Sequence, residues 1–178
     1  MASAGDSVFD VQKWEGPAIL KIKYIGRGNF AVRNYPANSN GHDYYDLLVN
    51  TIGAYEGTVP LDFKEGEQTA RFEVIADTSG GWEFRIEPIT NARIEQIPGK
   101  ISGTGDDVIF VKGTTPDLLK ADASQAKHNF AVFAITTRRI DLLINEIAPY
   151  TRTNILDSST FGLIVHATGP WSLEVKTR

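Results

Sequence analysis

The chain has 178 residues, 42% hydrophobic and 22% charged, with a formal charge of −4 and no cysteine. That usage is globular rather than disordered, offers no basic surface for nucleic acid or an anionic membrane, and excludes disulfides and thiolate metal sites. No apolar run approaches the roughly 20 residues of a membrane-spanning helix, so membrane insertion is not expected.

Along the first half, apolar residues alternate with period two. Gly5-Asp6-Ser7-Val8-Phe9-Asp10-Val11 opens the pattern. In Ala18-Ile19-Leu20-Lys21-Ile22-Lys23-Tyr24-Ile25, the residues Leu20, Ile22 and Tyr24 share one face and Lys21 and Lys23 the other, which predicts a half-buried strand. Gly26-Arg27-Gly28 reads as a hairpin turn before Asn29-Phe30-Ala31-Val32. Residues 34–45 follow as a polar, tyrosine-bearing loop, then Asp46-Leu47-Leu48-Val49-Asn50 resumes a strand whose closing Asn50 is expected to satisfy backbone groups where the ladder ends. Phe72, Val74 and Ala76 face one way in the next strand, and Trp82, Phe84 and Ile86 alternate with Glu83 and Arg85 in the last.

The second half says nearly the same thing again. Gly105-Asp106-Asp107-Val108-Ile109-Phe110-Val111, Asn129-Phe130-Ala131-Val132, Asp141-Leu142-Leu143-Ile144-Asn145 and Trp171-Ser172-Leu173-Glu174-Val175 repeat the earlier segments in the same order. A duplicated unit of roughly 80 residues follows. The expected boundaries are repeat 1 over 5–89, a short semi-rigid joint over 90–104, and repeat 2 over 105–178. Thr115-Pro116-Asp117-Leu118-Leu119-Lys120-Ala121 has helix-start features, but its partner in repeat 1 begins a strand, which argues against a helix. Six or seven short strands per repeat, punctuated by turns, predict an all-β chain of two tandem antiparallel β-sandwich lobes, jelly-roll or Ig-like. Trp82 and Trp171 are expected to be equivalent core residues.

The halves differ in charge and in loops. Residues 1–89 hold 8 Lys and Arg against 13 Asp and Glu, or −5, and residues 90–178 hold 10 against 9, or +1. The largest extra connection in repeat 1 spans 33–45. It holds Asn34, Tyr35, Asn38, Asn40, His42, Asp43, Tyr44 and Tyr45, and repeat 2 has no equivalent tyrosines. Flat amphipathic rings among amides and carboxylates suit a sugar or peptide surface, because rings stack on C–H faces while polar groups take hydroxyls. These eight residues form the candidate ligand site. Arg138 and Arg139 lie where repeat 1 has Asp43, so opposite charges at matched loops make them candidates for self-association.

Chemistry is otherwise thinly signalled. Gly26-Arg27-Gly28-Asn29-Phe30-Ala31 is followed by a strand rather than by the helix N-terminus that a dinucleotide glycine motif requires, and Ala126-Lys127-His128-Asn129 keeps neither glycine. No nucleophile elbow, His-Glu-x-x-His or P-loop is present, so no enzyme is expected, and catalysis stands as the last alternative. Asp6, Asp106 and Asp107 are calcium candidates, set against the simpler role of accepting backbone N–H bonds in turns; no cofactor is otherwise expected.

The pattern Gly-x-Gly-Asp, Asn-Phe-Ala-Val, Leu-Leu-Val-Asn-x-Ile-Gly-x-Tyr-x-Gly and a closing alternating Trp strand resembles β-sandwich repeats of bacterial surface and lipoprotein-like chains, and in outline is similar to pre-peptidase C-terminal domains. Repeat 1 keeps Ile52-Gly53-Ala54-Tyr55-Glu56-Gly57, whereas repeat 2 has Ile147-Ala148-Pro149-Tyr150-Thr151-Arg152. The resemblance implies an exported, non-catalytic accessory module. Met1-Ala2-Ser3-Ala4 shows no signal peptide, which implies a cytosolic chain or a domain cut from a longer precursor, and localisation stays open. The expected function is a non-catalytic recognition module for carbohydrate or another extracellular-type ligand through the 34–45 loop. The alternative is a structural or partner-binding subunit that self-assembles.

Overall fold

Alternation of apolar and polar residues resolves into strands throughout a computed structural model that describes residues 1–37, 45–78 and 80–177. The first unit, Met1–Asn91, contains β1 (Ala2–Ala4), β2 (Ser7–Asp10), β3 (Ala18–Tyr24), β4 (Asn29–Pro36), β5 (Asp46–Ile52), β6 (Tyr55–Leu61), β7 (Thr69–Ala76) and β8 (Gly81–Pro88). They form two four-stranded sheets in the orders β1-β8-β3-β6 and β2-β7-β4-β5. The second unit, Ala92–Arg178, contains β9 (Arg93–Ile97), β10 (Gly99–Thr104), β11 (Asp107–Gly113), β12 (Leu118–Asp122), β13 (Lys127–Thr136), β14 (Ile140–Ile147), β15 (Thr151–Ile155), β16 (Thr160–Thr168) and β17 (Pro170–Lys176). Its sheets run β10-β17-β12-β15 and β14-β13-β16-β11-β9.

Strand for strand, the second unit repeats the first and adds β9, which pairs in parallel with β11. The orders 1-8-3-6 and 2-7-4-5 interleave two Greek keys, so each lobe is a jelly roll rather than an Ig-like sandwich. Residues 93–104, which the sequence assigned to a joint, are β9 and β10 of the second unit; β10 and β1 are equivalent strands that precede Gly105 and Gly5. Residues 118–121 of the helix candidate are strand, as its partner in the first repeat implies.

Both lobes close around the predicted faces. Leu20, Ile22, Tyr24, Phe30, Val32, Phe72, Val74, Trp82 and Phe84 belong to the first core. Where it uses Phe9, Phe72 and Phe84, the second uses Ile109, Leu163 and Leu173, filling the same positions with aliphatic volume. Trp82 and Trp171 each donate an indole N–H to the carbonyl of Gly5 and Gly105, at 3.0 and 2.8 Å. Those glycines sit at φ +69° and +75°, where an L side chain is strained, and the following Asp6 and Asp106 accept the N–H of Ala76 and Ala167 at 2.9 Å. The repeated Gly-Asp pair therefore locks the first turn of each lobe onto its tryptophan and onto β7 or β16. Matched register shifts between Val32 and Arg33, and between Val132 and Phe133, place one bulged residue in β5 and one in β14.

Candidate functional site

The loop end of the first unit is held from beneath by a buried polar network. Lys13 Nζ lies 3.0 Å from Asp62 Oδ2, with side-chain exposures of 1% and 2%, and donates to the carbonyls of Trp14 and Gly16 at 2.9 and 2.6 Å. Asp62, in the left-handed region at φ 56°, accepts the N–H and hydroxyl of Thr69 at 2.9 and 2.6 Å. Asn34 donates its amide to the Thr69 hydroxyl at 2.9 Å. The network ties the segment before β3, the end of β6, the start of β7 and the end of β4 into one rigid base.

A second cluster lies on the outer face of the sheet. Strand pairing sets Arg33 opposite Glu73 and Tyr35 opposite Arg71. Arg33 donates to Glu73 Oε2 at 3.1 Å and the Tyr35 hydroxyl donates to the same oxygen at 2.7 Å. The Tyr35 hydroxyl, aided by Arg33, holds the Glu73 carboxyl below its usual value, and the same bond raises the Tyr35 phenol. The Arg33 guanidinium lies 4.6 Å from the centre of the Tyr45 ring, a cation–π contact, and the Tyr35 and Tyr45 rings are 5.7 Å apart. Tyr45 is still 38% exposed. It is a ring fixed from two sides and open to solvent.

Above the buried network is a cleft of about 630 Å³ lined by Asp62 together with Glu15, Gly16, Phe63, Glu65, Glu67 and Gln68, among others. Its Gln68 wall accepts the N–H of Ala37 at 2.8 Å, which fixes the start of the 37–45 connection against it. Three glutamates against Lys64, itself paired with Glu67 at 3.1 Å, leave the rim acidic. No protein-family model matches the chain, and no curated protein does.

Among its described residues the second unit reproduces neither the aromatic cluster nor the buried ion pair. At the positions of Arg33, Tyr35, Tyr45 and Glu73 stand Phe133, Ile135, Ile140 and Ile164. At Lys13 stands Gly113, at φ +134°, where the Ile97 carbonyl of β9 occupies the space a side chain would need. The added strand replaces the buried ion pair, and Asp157, the counterpart of Asp62, is exposed and caps its own turn through Ser159 at 2.7 Å.

The sequence-derived ligand set is only partly assembled. Asn34 and Tyr35 belong to β4 rather than to a loop. Asn34 is a correction: its side chain points inward, is buried and bonds Thr69, because it alternates with Arg33 and Tyr35 across the pleat. Tyr35 and Tyr45 do meet. Asn38, Asn40, His42, Asp43 and Tyr44 lie outside the described residues. Asn50 is also corrected: it is exposed, and its strand runs on to Ile52, as that of Asn145 runs on to Ile147. Arg138 and Arg139 are exposed in the turn between β13 and β14, with Arg139 paired to Asp141 at 2.5 Å. The carboxylates of Asp6 and Asp106 accept backbone N–H groups, and Asp107 takes Arg93 at 3.3 Å while burial raises its pKa. Among the described residues no three acidic or histidine groups converge as a metal cluster.

The Glu73 shift has a measurable consequence. A carboxyl with its folded pKa lowered stabilises the fold above its unfolded value, about pH 4.3, and loses that contribution as pH falls through the folded value. Asp107, raised by burial, acts oppositely: its contribution is lost as pH rises through its folded value. Urea unfolding at pH 7 and pH 3 is therefore expected to show a smaller acid loss in Glu73→Gln than in the parent chain. Equal losses in both would mean that the Tyr35–Glu73–Arg33 bonds do not persist in solution.

Proposed function

We propose that the chain is a non-catalytic recognition module that binds carbohydrate at the loop end of its first lobe. The observation that carries this reading is the Tyr45 ring, pinned by Arg33 and Tyr35 yet open to solvent, beside the Glu73 carboxylate. A pre-positioned ring offers stacking to a sugar's C–H face at little entropic cost, and ordered charged groups at its edge supply hydroxyl partners. The buried Lys13–Asp62–Thr69–Asn34 network keeps that platform rigid, and the cleft that Asp62 lines gives room for further sugar units. Its confinement to one lobe supports a role for the first repeat that the second does not share. The likeness to exported accessory domains agrees with this role at the level of pattern alone.

The test is a thermal-shift screen of the chain against oligosaccharides, since native-state binding raises the midpoint by mass action. A dose-dependent rise with one glycan is expected, and Tyr45→Ala should weaken that binding at least about tenfold, the loss of roughly 1.4 kcal/mol, while leaving the unliganded midpoint in place. A flat response across the panel, or binding indifferent to Tyr45→Ala, removes the reading. A second reading, a subunit of an assembly, is favoured by a different surface, the exposed edge strands.

A further inference from the structure

Arg33, Tyr35, Tyr45 and Glu73 are all aliphatic or phenylalanine in the second lobe, and the contrast does not stop with them. Strand pairing sets Asp10 opposite Arg71 and Arg71 opposite Tyr35, whose ring meets that of Tyr45. Asp10, Arg71, Tyr35 and Tyr45 thus form one row across β2, β7 and β4 to the start of β5. Val8, Glu73, Arg33 and Leu47 form the row beside it. In the second lobe Phe110 and Gly162 stand at the positions of Asp10 and Arg71. A Cβ on Gly162 would meet Ile135 and Phe110 at 2.9 and 3.2 Å, so those side chains lie over the strand and close the face. Six positions therefore differ together between the lobes, and two of them lie beyond the contacts of the Tyr45 ring.

Arg71 Nε donates to Asp10 Oδ1 at 2.7 Å, and the two side chains stay 54% and 72% exposed. An ion pair in that much water adds little to stability, so folding alone does not account for these two residues. A guanidinium has five N–H donors, and this bond uses one of them. Donors and a second carboxylate oxygen are left side by side toward solvent, the arrangement that adjacent hydroxyls of a sugar ring require. The charges in the two rows cancel: Arg33 lies 3.1 Å from Glu73, and Arg71 lies 2.7 Å from Asp10.

We propose that the glycan taken at Tyr45 is an uncharged oligosaccharide laid across the strands, its outer units held by Arg71 and Asp10. This rests on the carbohydrate reading above and names the ligand class within it. Three steps of about 4.8 Å between neighbouring strands make the row roughly 14 Å long, which suits several sugar units rather than one. Hydroxyls add bonds to both ion pairs without breaking either. A uronate or sulfated glycan would have to draw a guanidinium away from its carboxylate. It would also approach a repeat that carries −5, from 8 Lys and Arg against 13 Asp and Glu over residues 1–89. An amino-sugar polymer would have to compete with Arg33 and Arg71 for Glu73 and Asp10, with two guanidinium groups repelling it on the same face.

Calorimetric titration of the full chain tests this with xylo-, cello- and manno-oligosaccharides from disaccharide to hexasaccharide, beside oligogalacturonate and glucosamine oligomers. One of the three neutral series is expected to bind, more tightly as it lengthens. Arg71→Ala should weaken the hexasaccharide about tenfold, the loss of a charge-assisted hydrogen bond, and leave the disaccharide unchanged. Asp10→Asn should show the same dependence on length with a smaller loss. Tyr45→Ala should weaken every length. Both outer variants change exposed side chains, so the parent's thermal midpoint is expected in each. Preference for a charged series overturns the proposal, as does an Arg71→Ala effect that is absent or equal at all lengths. Binding that still depends on Tyr45 in those cases keeps the carbohydrate reading. Silence across all five series removes both.

Discussion

Truncating Trp82 or Trp171 to alanine is expected to destabilise its own lobe by about 3–5 kcal/mol, the range for deleting a fully packed large aromatic. Each is only 3% exposed. Trp82 packs against Phe84 and Phe9 at centroid distances of 4.9 and 5.8 Å, so alanine would leave a cavity among rings that cannot collapse into it. Truncation also strips the Gly5 or Gly105 carbonyl of its indole donor and so loosens the turn that the next residue, Asp6 or Asp106, braces. Trp→Phe at either site keeps most of the apolar volume but loses the donor, and should cost distinctly less than alanine. Urea unfolding followed by circular dichroism reads the difference. A loss below about 0.5 kcal/mol for alanine, typical of a surface position, would mean that the tryptophan is not held in the core.

That pair also shows what was legible. Period-two alternation placed Trp82, Phe84, Trp171 and Leu173 inward because inside and outside differ at every step of a strand. The duplication gave the architecture because each half carries a complete sandwich pattern. Neither signal could assign 93–104 to the second lobe, although Arg93–Ile97 reads as extended, since β9 has no counterpart in the first half and β10 corresponds to only three residues, β1. The site was harder. Tyr35 and Tyr45 stood out as residues without counterparts, but Glu73, which orients Tyr35 and Arg33, lies 38 and 40 residues away and meets them only through β4–β7 pairing. Nothing local marks it. Asn34 sits among loop-forming residues in the sequence, yet the strand continues to Pro36 and carries it to the inner face. Lys13 and Asp62 look like ordinary surface charges in the sequence, and only the fold shows them shut away together.

Removing one member of that pair is the other change with a large expected effect. Lys13→Met should destabilise the first unit by about 3–5 kcal/mol, because it leaves the Asp62 carboxylate buried without its cation, and stranding one buried charge costs more than the pair ever contributed. Thr69 still donates twice to Asp62, which limits the damage but does not neutralise the charge. Asp62→Asn alone strands Lys13 on the carbonyls of Trp14 and Gly16. The double variant buries no net charge, so its cost should fall well short of the two single costs added together, a coupling that a double-mutant cycle measures directly. Strict additivity would show that the two charges reach water and do not sense each other. The second lobe indicates which result to expect. There Gly113 and β9 take the place of the lysine, Asp157 turns out to solvent, and the same jelly roll stands without the ion pair. The pair is thus a replaceable way of closing the end of the sandwich. In the first lobe it closes that end with a carboxylate, Asp62, that also lines the acidic cleft.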